Sequence, residues 1–257
     1  MLFAIANLLI VATLFVAMSV FYEWGRRIGE RDTRSVPEES KGGTGPTEAV
    51  VFGLLGLFIA FTFSGAALRF EHRRDQIVEE ANAIGTAWQR IDVLPAAAQA
   101  PVRDLFRRYV DSRLERYRLP PLSPDVQRAI EASVALQGEI WSTVVASAKE
   151  SREIPPSAVL LPALNAMFDI ATTREAARLV HPPIPVYATI GVLALVSSLF
   201  AGYGTAGKSH SQIHRWGLAA VLSLALYVII DLEFPRVGFI RLDAADSVMR
   251  DVRASMD

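Results

Sequence analysis

The stretch GLLGLFIAFTFSGAALRFEHRRD, residues 53–75, decides the fold class. It opens as uncharged apolar sequence and closes on His72, Arg73, Arg74 and Asp75. Neither a proline nor a cluster of turn residues separates the two parts. A helix here runs on from hydrocarbon into water, and the rest of the chain has to explain why.

Working outward, four runs are long enough to cross a bilayer, which takes about 20 mostly apolar residues. They are residues 2–22, 49–68, 185–206 and 213–230. Lipid offers no partner to backbone N–H and C=O groups, so each is helical. None carries a charged side chain away from its ends, so a proton or ion relay through a charged membrane site has no support. The first run lacks a basic leading segment and exceeds the usual core of about 7–15 residues, so it reads as a span rather than a cleaved signal. The segment 30–47, with Gly42-Gly43-Thr44-Gly45-Pro46, reads as a flexible loop. Hydrophobic residues make up 51% of the chain and the formal net charge is −1, which argues against a nucleic-acid partner. With no cysteine, disulfides and thiol catalysis are excluded.

Residues 69–184 carry helical periodicity and no strand pattern or internal repeat. Ile77, Ala81, Ile84, Trp88 and Ile91 recur at 4,3,4,3 spacing and form one face, which Pro95 ends. A second helix carries Val102, Leu105, Phe106, Tyr109 and Leu114 up to Pro120-Pro121. Ser123-Pro124-Asp125 is a helix start, with a capping hydroxyl, a proline and an acid in the first turn. The helix it opens carries Val126, Ile130, Val134, Ile140, Trp141 and Val144. Pro155-Pro156 breaks the chain, and a last helix with Leu160, Leu164, Met167, Phe168 and Leu179 stops at His181-Pro182-Pro183.

Few residues suggest chemistry. Residues 202–209, GYGTAGKS, match the phosphate-loop spelling. That loop needs a strand before it and a helix N-terminus after it, whereas a membrane helix precedes this one. The expectation is a glycine-rich turn with Lys208 at the headgroups. His210 and His214 share a helix face, but no neighbouring acid or cysteine completes a metal site. His72 and His181 stand alone and read as surface or capping residues. Glu79 and Glu80 point about 100° apart on a helix, so they cannot share a proton, and a solvated face is expected. No catalytic residue, metal site or cofactor is expected, and the enzyme reading lacks a convergent polar cluster. On the second span Gly53, Gly56, Ala60, Ser64 and Ala67 form a small-residue stripe, and Gly53, Leu57, Phe61 and Ser64 an overlapping row. Such a stripe serves close helix packing, within the bundle or between subunits, or lines a narrow apolar pore.

Phe61, the pair Arg69-Phe70 two turns on, and Arg74 resemble the second-helix signature of the bestrophins. The four-span layout with a large helical insert between spans two and three is similar too. A closer resemblance is to a bacterial bestrophin-like membrane family without a settled activity, itself distantly similar to bestrophin ion channels. It is carried by Val78-Glu79-Glu80-Ala81-Asn82-Ala83, by Leu164-Asn165-Ala166-Met167-Phe168-Asp169, and by Asp231-Leu232-Glu233-Phe234-Pro235 with Gly238-Phe239-Ile240-Arg241. It covers most of residues 49–245. The acidic calcium-binding run of animal bestrophins is absent, so no calcium gating is implied.

The resemblance implies a pentamer whose second helix lines the conduction path and continues into an aqueous helical domain. The neck positions would be Gly53, Leu57 and Phe61, with Ser64, Arg69, Phe70 and Arg74 beside them on the same helix. Gly53 departs from the bulky residue expected at its level. The expectation is an all-α integral membrane protein with four transmembrane helices. Its divisions are 1–68, a helical extramembrane domain at 69–184, 185–233, and a tail at 234–257 packing on the helical domain. The function implied is a homo-oligomeric, anion-conducting channel in a bacterial inner membrane, with lipid and small ions as partners. The alternative is a non-conducting scaffold or sensor whose helical domain binds a partner. Nine basic residues near membrane ends on the helical-domain side face seven on the other, a slight bias toward a cytoplasmic domain. Arg26-Arg27 after an uncharged start pulls the other way, and the resemblance favours the cytoplasmic side.

Overall fold

The computed structural model describes residues 2–35, 45–120, 123–150, 156–206 and 212–257. Eight α-helices occur among them: α1 (Leu2–Ser35), α2 (Gly45–Gln89), α3 (Ala96–Arg118), α4 (Asp125–Glu150), α5 (Pro156–Leu179), α6 (Ile184–Gly204), α7 (Gln212–Glu233) and α8 (Asp243–Ala254). No strand occurs among the described residues. Four helices, α1, α2, α6 and α7, are long and apolar enough to cross a membrane. The protein is an all-α membrane protein. Its chain forms two compact units, Met1–Phe70 with His181–Ile240, and Glu71–Val180 with Arg241–Asp257.

α2 is one unbroken helix of 45 residues that begins in the first unit and ends in the second. The loop expected at 30–47 is shorter, because α1 runs on to Ser35 and α2 starts at Gly45. In α1 the extension is supported by Arg26, whose Nε donates to Glu30 Oε1 at 2.9 Å, one turn on.

The first unit is built on a close pairing of α1 with α6. A Cβ on Gly25 would lie 1.9 Å from the Leu199 carbonyl oxygen, and one on Gly202 would lie 1.9 Å from that of Tyr22. A Cβ on Gly29 would meet the Tyr203 carbonyl oxygen less closely, at 2.8 Å. Lipid supplies no hydrophobic force between helices, so van der Waals contact at this range is what joins them. The signal was a Gly-x-x-x-Gly pair, Gly25 and Gly29, lying just past the span as drawn from hydropathy. Gly202 is thus a helix-packing residue within α6, not part of a turn. Thr205 Oγ1 donates to the Gly202 carbonyl at 2.7 Å, and Tyr22 donates to that hydroxyl at 3.1 Å. Residues 207–209 of the phosphate-loop lookalike, and His210, lie outside the described residues, as does the His214 side chain.

The second unit packs α3, α4, α5 and α8 with the end of α2. Ile77, Ala81, Ile84 and Ile91 are buried, as the spacing expected. Each buried isoleucine contributes about 1.5–3 kcal/mol. Trp88 lies partly buried under the guanidinia of Arg103 and Arg107, at 4.8 and 5.3 Å from its ring. Ser123 Oγ accepts the Asp125 N–H at 3.2 Å and opens α4 as expected. The buried face of α4 runs through Val126, Ser133, Leu136, Ile140 and Val144. Val134 and Trp141 lie about 100° round the helix from the centre of that face and are exposed, contrary to the sequence reading, as is Leu179 at the end of α5. α8 is tied to α3 by Arg253 Nε donating to Asp111 Oδ1 at 2.8 Å and by Arg107 Nε donating to the Met256 carbonyl at 2.9 Å.

Substituting Gly202→Val should destabilise the protein by about 3 kcal/mol or more, since the new side chain meets fixed backbone. Gly191→Ala on the same helix, where a Cβ meets nothing within 4 Å, should change stability by less than about 1 kcal/mol. Thermal unfolding in one detergent compares the two.

Candidate functional site

Within its own unit α2 is held along a narrow seam. Leu55, Thr62 and Ala66 are buried, at i, i+7 and i+11. Leu55 joins Met18, Ile190 and Ala219, and Ala66 joins Ile229 and Leu232. The rest of the helix between Val50 and Leu68 is largely uncovered. Gly53 and Gly56 have open space where a side chain would be. The small-residue stripe therefore makes no contact within the chain at these positions, and close packing inside the bundle belongs to α1 and α6 instead.

Within the uncovered surface, which also includes Phe58, Ala60 and Phe63, one row runs the length of the span. Val50, Leu54, Leu57, Phe61, Ser64 and Leu68 are all exposed and follow a 4,3,4,3,4 spacing. That is the seven-residue repeat of helices that meet one another around an axis. Phe61 is 70% exposed and Leu57 48%. Gly53 lies toward one edge of the same face, because 100° per residue puts it about 80° from Phe61. Beside Leu57 and Phe61 runs an open, mostly apolar groove of about 410 Å³, lined also by Phe58, Thr62, Arg69 and Val186.

The neck-adjacent residues divide. Ser64 stays on the uncovered face. Phe70 lies half a turn away from Phe61 and packs against Ala66, Ile229 and Leu232. Arg74 pairs on the surface with Glu71 at 2.6 Å. Arg69 folds back over its own helix, 3.1 Å from where a Gly65 Cβ would be. Its Nε donates to Glu233 Oε1 at 2.8 Å, and its Nη2 bonds the same oxygen. Glu233 is fully buried, and its second oxygen lies 3.3 Å from His181 Nδ1. The His181 ring stacks on Phe234 at 4.6 Å. His181 is thus a ligand of a buried carboxylate, not an isolated surface residue. His72 pairs with Gln76 at 2.9 Å.

Asp231, two residues before Glu233, serves the following loop. Its carboxylate accepts the N–H groups of Phe239 at 3.0 Å and Ile240 at 2.7 Å. A Cβ on Gly238 would come within 1.9 Å of Asp231 Oδ1, so only glycine lets the loop close on the acid. The spelling Asp-Leu-Glu-Phe-Pro followed by Gly-Phe-Ile thereby acquires a physical meaning. A convergent polar cluster does exist here, which the sequence reading lacked. Arg69 and His181 converge on the two oxygens of Glu233.

A sequence model of the Bestrophin-like domain matches residues 7–246. The chain belongs to the bestrophin-like family. No curated protein matches it at the level of sequence. Among solved structures, two variants of a bacterial bestrophin homologue from Klebsiella pneumoniae superpose with TM-scores of 0.69 and 0.66. Each is 13% identical, over 96% of this chain and 98% of theirs. A variant of another membrane protein superposes with a TM-score of 0.62 at 15% identity, over 98% of both chains. At these identities the likeness shows the fold.

A second cluster occupies the second unit of this bestrophin-like chain. Glu80, expected on a solvated face, is fully buried. Arg113 Nε donates to its Oε1 at 2.6 Å, and Arg174 Nη1 bonds its Oε2. The signal was present: Glu80 follows Ile77 by three residues and precedes Ile84 by four, which places it on the buried face. The Tyr117 ring lies under three guanidinia, at 4.0 Å from Arg174, 5.1 Å from Arg113 and 5.7 Å from Arg116. Burial pushes the Tyr117 phenol up to about 12. Burial also works to raise the Glu80 carboxyl, but Arg113 and Arg174 outweigh it and hold the group below its ordinary value of 4.5.

A carboxylate whose folded value is depressed contributes stability that is complete above its ordinary value and is lost as pH falls through the folded value. Unfolding free energy should therefore decline with acid below about pH 4.5. Glu80→Gln leaves two buried guanidinia without their anion and should cost about 3–5 kcal/mol at neutral pH, while flattening that acid decline. Circular dichroism melts across pH 3–7 measure both.

Proposed function

We propose that this bestrophin-like chain is one subunit of a homo-oligomeric, anion-conducting channel. In this reading α2 lines an apolar neck at Gly53, Leu57 and Phe61. The uncovered seven-residue repeat on α2 carries the proposal. A membrane helix whose buried residues between Val50 and Leu68 are Leu55, Thr62 and Ala66 has most of that surface left for other copies. Symmetric copies of α2 would bring Phe61 and Leu57 into stacked apolar rings, and such rings control passage by dewetting. Gly53 leaves the next level wider. Arg69 and Phe70 turn inward, so they position the end of the neck, and the anion preference rests on the resemblance to bestrophins. That resemblance also favours a pentamer in a bacterial inner membrane, with the helical unit on the cytoplasmic side.

The second reading is a non-conducting scaffold or sensor. Val134 and Trp141, exposed on one face of α4, support it as a surface for a partner.

Flux separates the two. In liposomes, Phe61→Ala and Leu57→Ala should raise chloride flux severalfold over the unsubstituted protein. Phe61 is exposed within its chain, so its truncation should cost well under the about 3–5 kcal/mol of a buried phenylalanine. Absence of flux in all three proteins, together with a large loss of stability in Phe61→Ala, would favour the scaffold.

A further inference from the structure

At the seam of α3 and α5 in the second unit, four guanidinia surround two carboxylates. Arg113, Arg116, Arg174 and Arg178 face Glu80 and Glu175. Arg113, Arg116 and Arg174 have side chains only 2–4% exposed. Glu80 is spent on Arg113 and Arg174. Glu175 is left to serve the others: its Oε2 lies 2.7 Å from Arg116 Nη2 and 3.4 Å from Arg178 Nε, and its Oε1 lies 3.9 Å from Arg113 Nη1. The cluster is short of negative charge. A buried charge without a partner is costly, and its absence of compensation is a reason to look for a missing anion.

The hydrogen bonds locate the deficit. Arg116 Nε and Arg178 Nε are both buried, and neither has a hydrogen-bond partner within the protein. Both side chains pair with one oxygen of Glu175, Arg178 through its Nε at 3.4 Å without a hydrogen bond, so the two N–H groups still open to an acceptor belong to neighbouring guanidinia on opposite sides of the seam. Arg178 is 27% exposed, which gives the site an opening, whereas Arg116 is shut in. Burial lowers the Arg116 guanidinium from its ordinary value, and Glu175 only partly opposes this.

We propose that Arg116 and Arg178, backed by Arg113 and Arg174, bind a small free oxyanion of the phosphate or sulfate class. Guanidinium N–H groups match oxyanion oxygens in direction and charge, which favours an oxyanion over a halide. A water molecule would satisfy the two N–H groups and the vacant Glu175 Oε1, but would leave the charge excess in place. The burial of Arg116, whose side chain is 2% exposed, favours a small ion over a lipid headgroup. The site stands independently of ion conduction.

The test titrates inorganic phosphate into the full-length protein in detergent, with ionic strength held constant by sodium chloride, and reads the unfolding temperature. Binding to the folded state alone raises it with the logarithm of phosphate concentration. A rise of several degrees is expected in the unsubstituted protein. In Arg178→Gln, a change at the rim of the site, the rise should vanish while the phosphate-free melt stays cooperative. Arg178→Lys should retain part of the response. If phosphate does no more than chloride, or Arg178→Gln responds like the unsubstituted protein, the vacancies hold water and the proposal fails. Calorimetry with phosphate, giving one site per chain, checks the same outcome without unfolding.

Discussion

The charge on Arg69 sets the terms on which α2 can leave hydrocarbon. A guanidinium at that boundary has to find an anion, because an unpaired charge near lipid is expensive. Glu233, at the last residue of α7, supplies it from 164 positions away in sequence. The same carboxylate holds His181, and the His181 ring stacks on Phe234 just past the end of α7. One buried acid thereby ties together α2, α7 and the residues leading into α6. Asp231 extends the arrangement by fastening the loop to Ile240. On the apolar side α2 is held along Leu55, Thr62 and Ala66, and its outer face stays open.

The membrane unit separates two jobs that glycine can do. On α1 and α6, Gly25, Gly29 and Gly202 bring two backbones into contact, and that pairing holds the unit together. On α2, Gly53 and Gly56 touch nothing in their own chain. A stripe of small residues is thus not one kind of signal. Its meaning depends on whether a second backbone lies over it, and only the fold reveals that.

Sequence revealed much of this architecture. The spans, the unbroken helix through 53–75, and helix ends at Pro95, Ser123 and Pro182 follow from hydropathy and from proline chemistry, which act locally. The core of the second unit was legible wherever apolar spacing was clean, as at Ile77, Ile84 and Ile91. It failed at Val134 and Trp141, because the apolar residues of α4 spread round about half of the helix and leave the edge of the buried face ambiguous. The charged clusters were the least legible. Arg69 with Glu233, and Glu80 with Arg113 and Arg174, join residues that share no local pattern, so no periodicity reports them. Glu80 alone left a trace, by falling on the same face as Ile77 and Ile84. The neck positions Leu57 and Phe61 were named through a resemblance, and the geometry adds that their face is uncovered and carries a seven-residue repeat.

The central claim is that α2 faces the symmetry axis of an oligomer with Phe61 near its centre. The chain contains no cysteine, so a single Phe61→Cys substitution carries one spin label per subunit. Pulsed electron-spin distance measurement in a bilayer then reads the ring directly. The account predicts two distances in a ratio of about 1.6, as a five-fold ring requires, and both shorter than the corresponding distances from Val16→Cys on α1. Distances from Phe61→Cys longer than those from Val16→Cys, or no intersubunit distance at all, would contradict it.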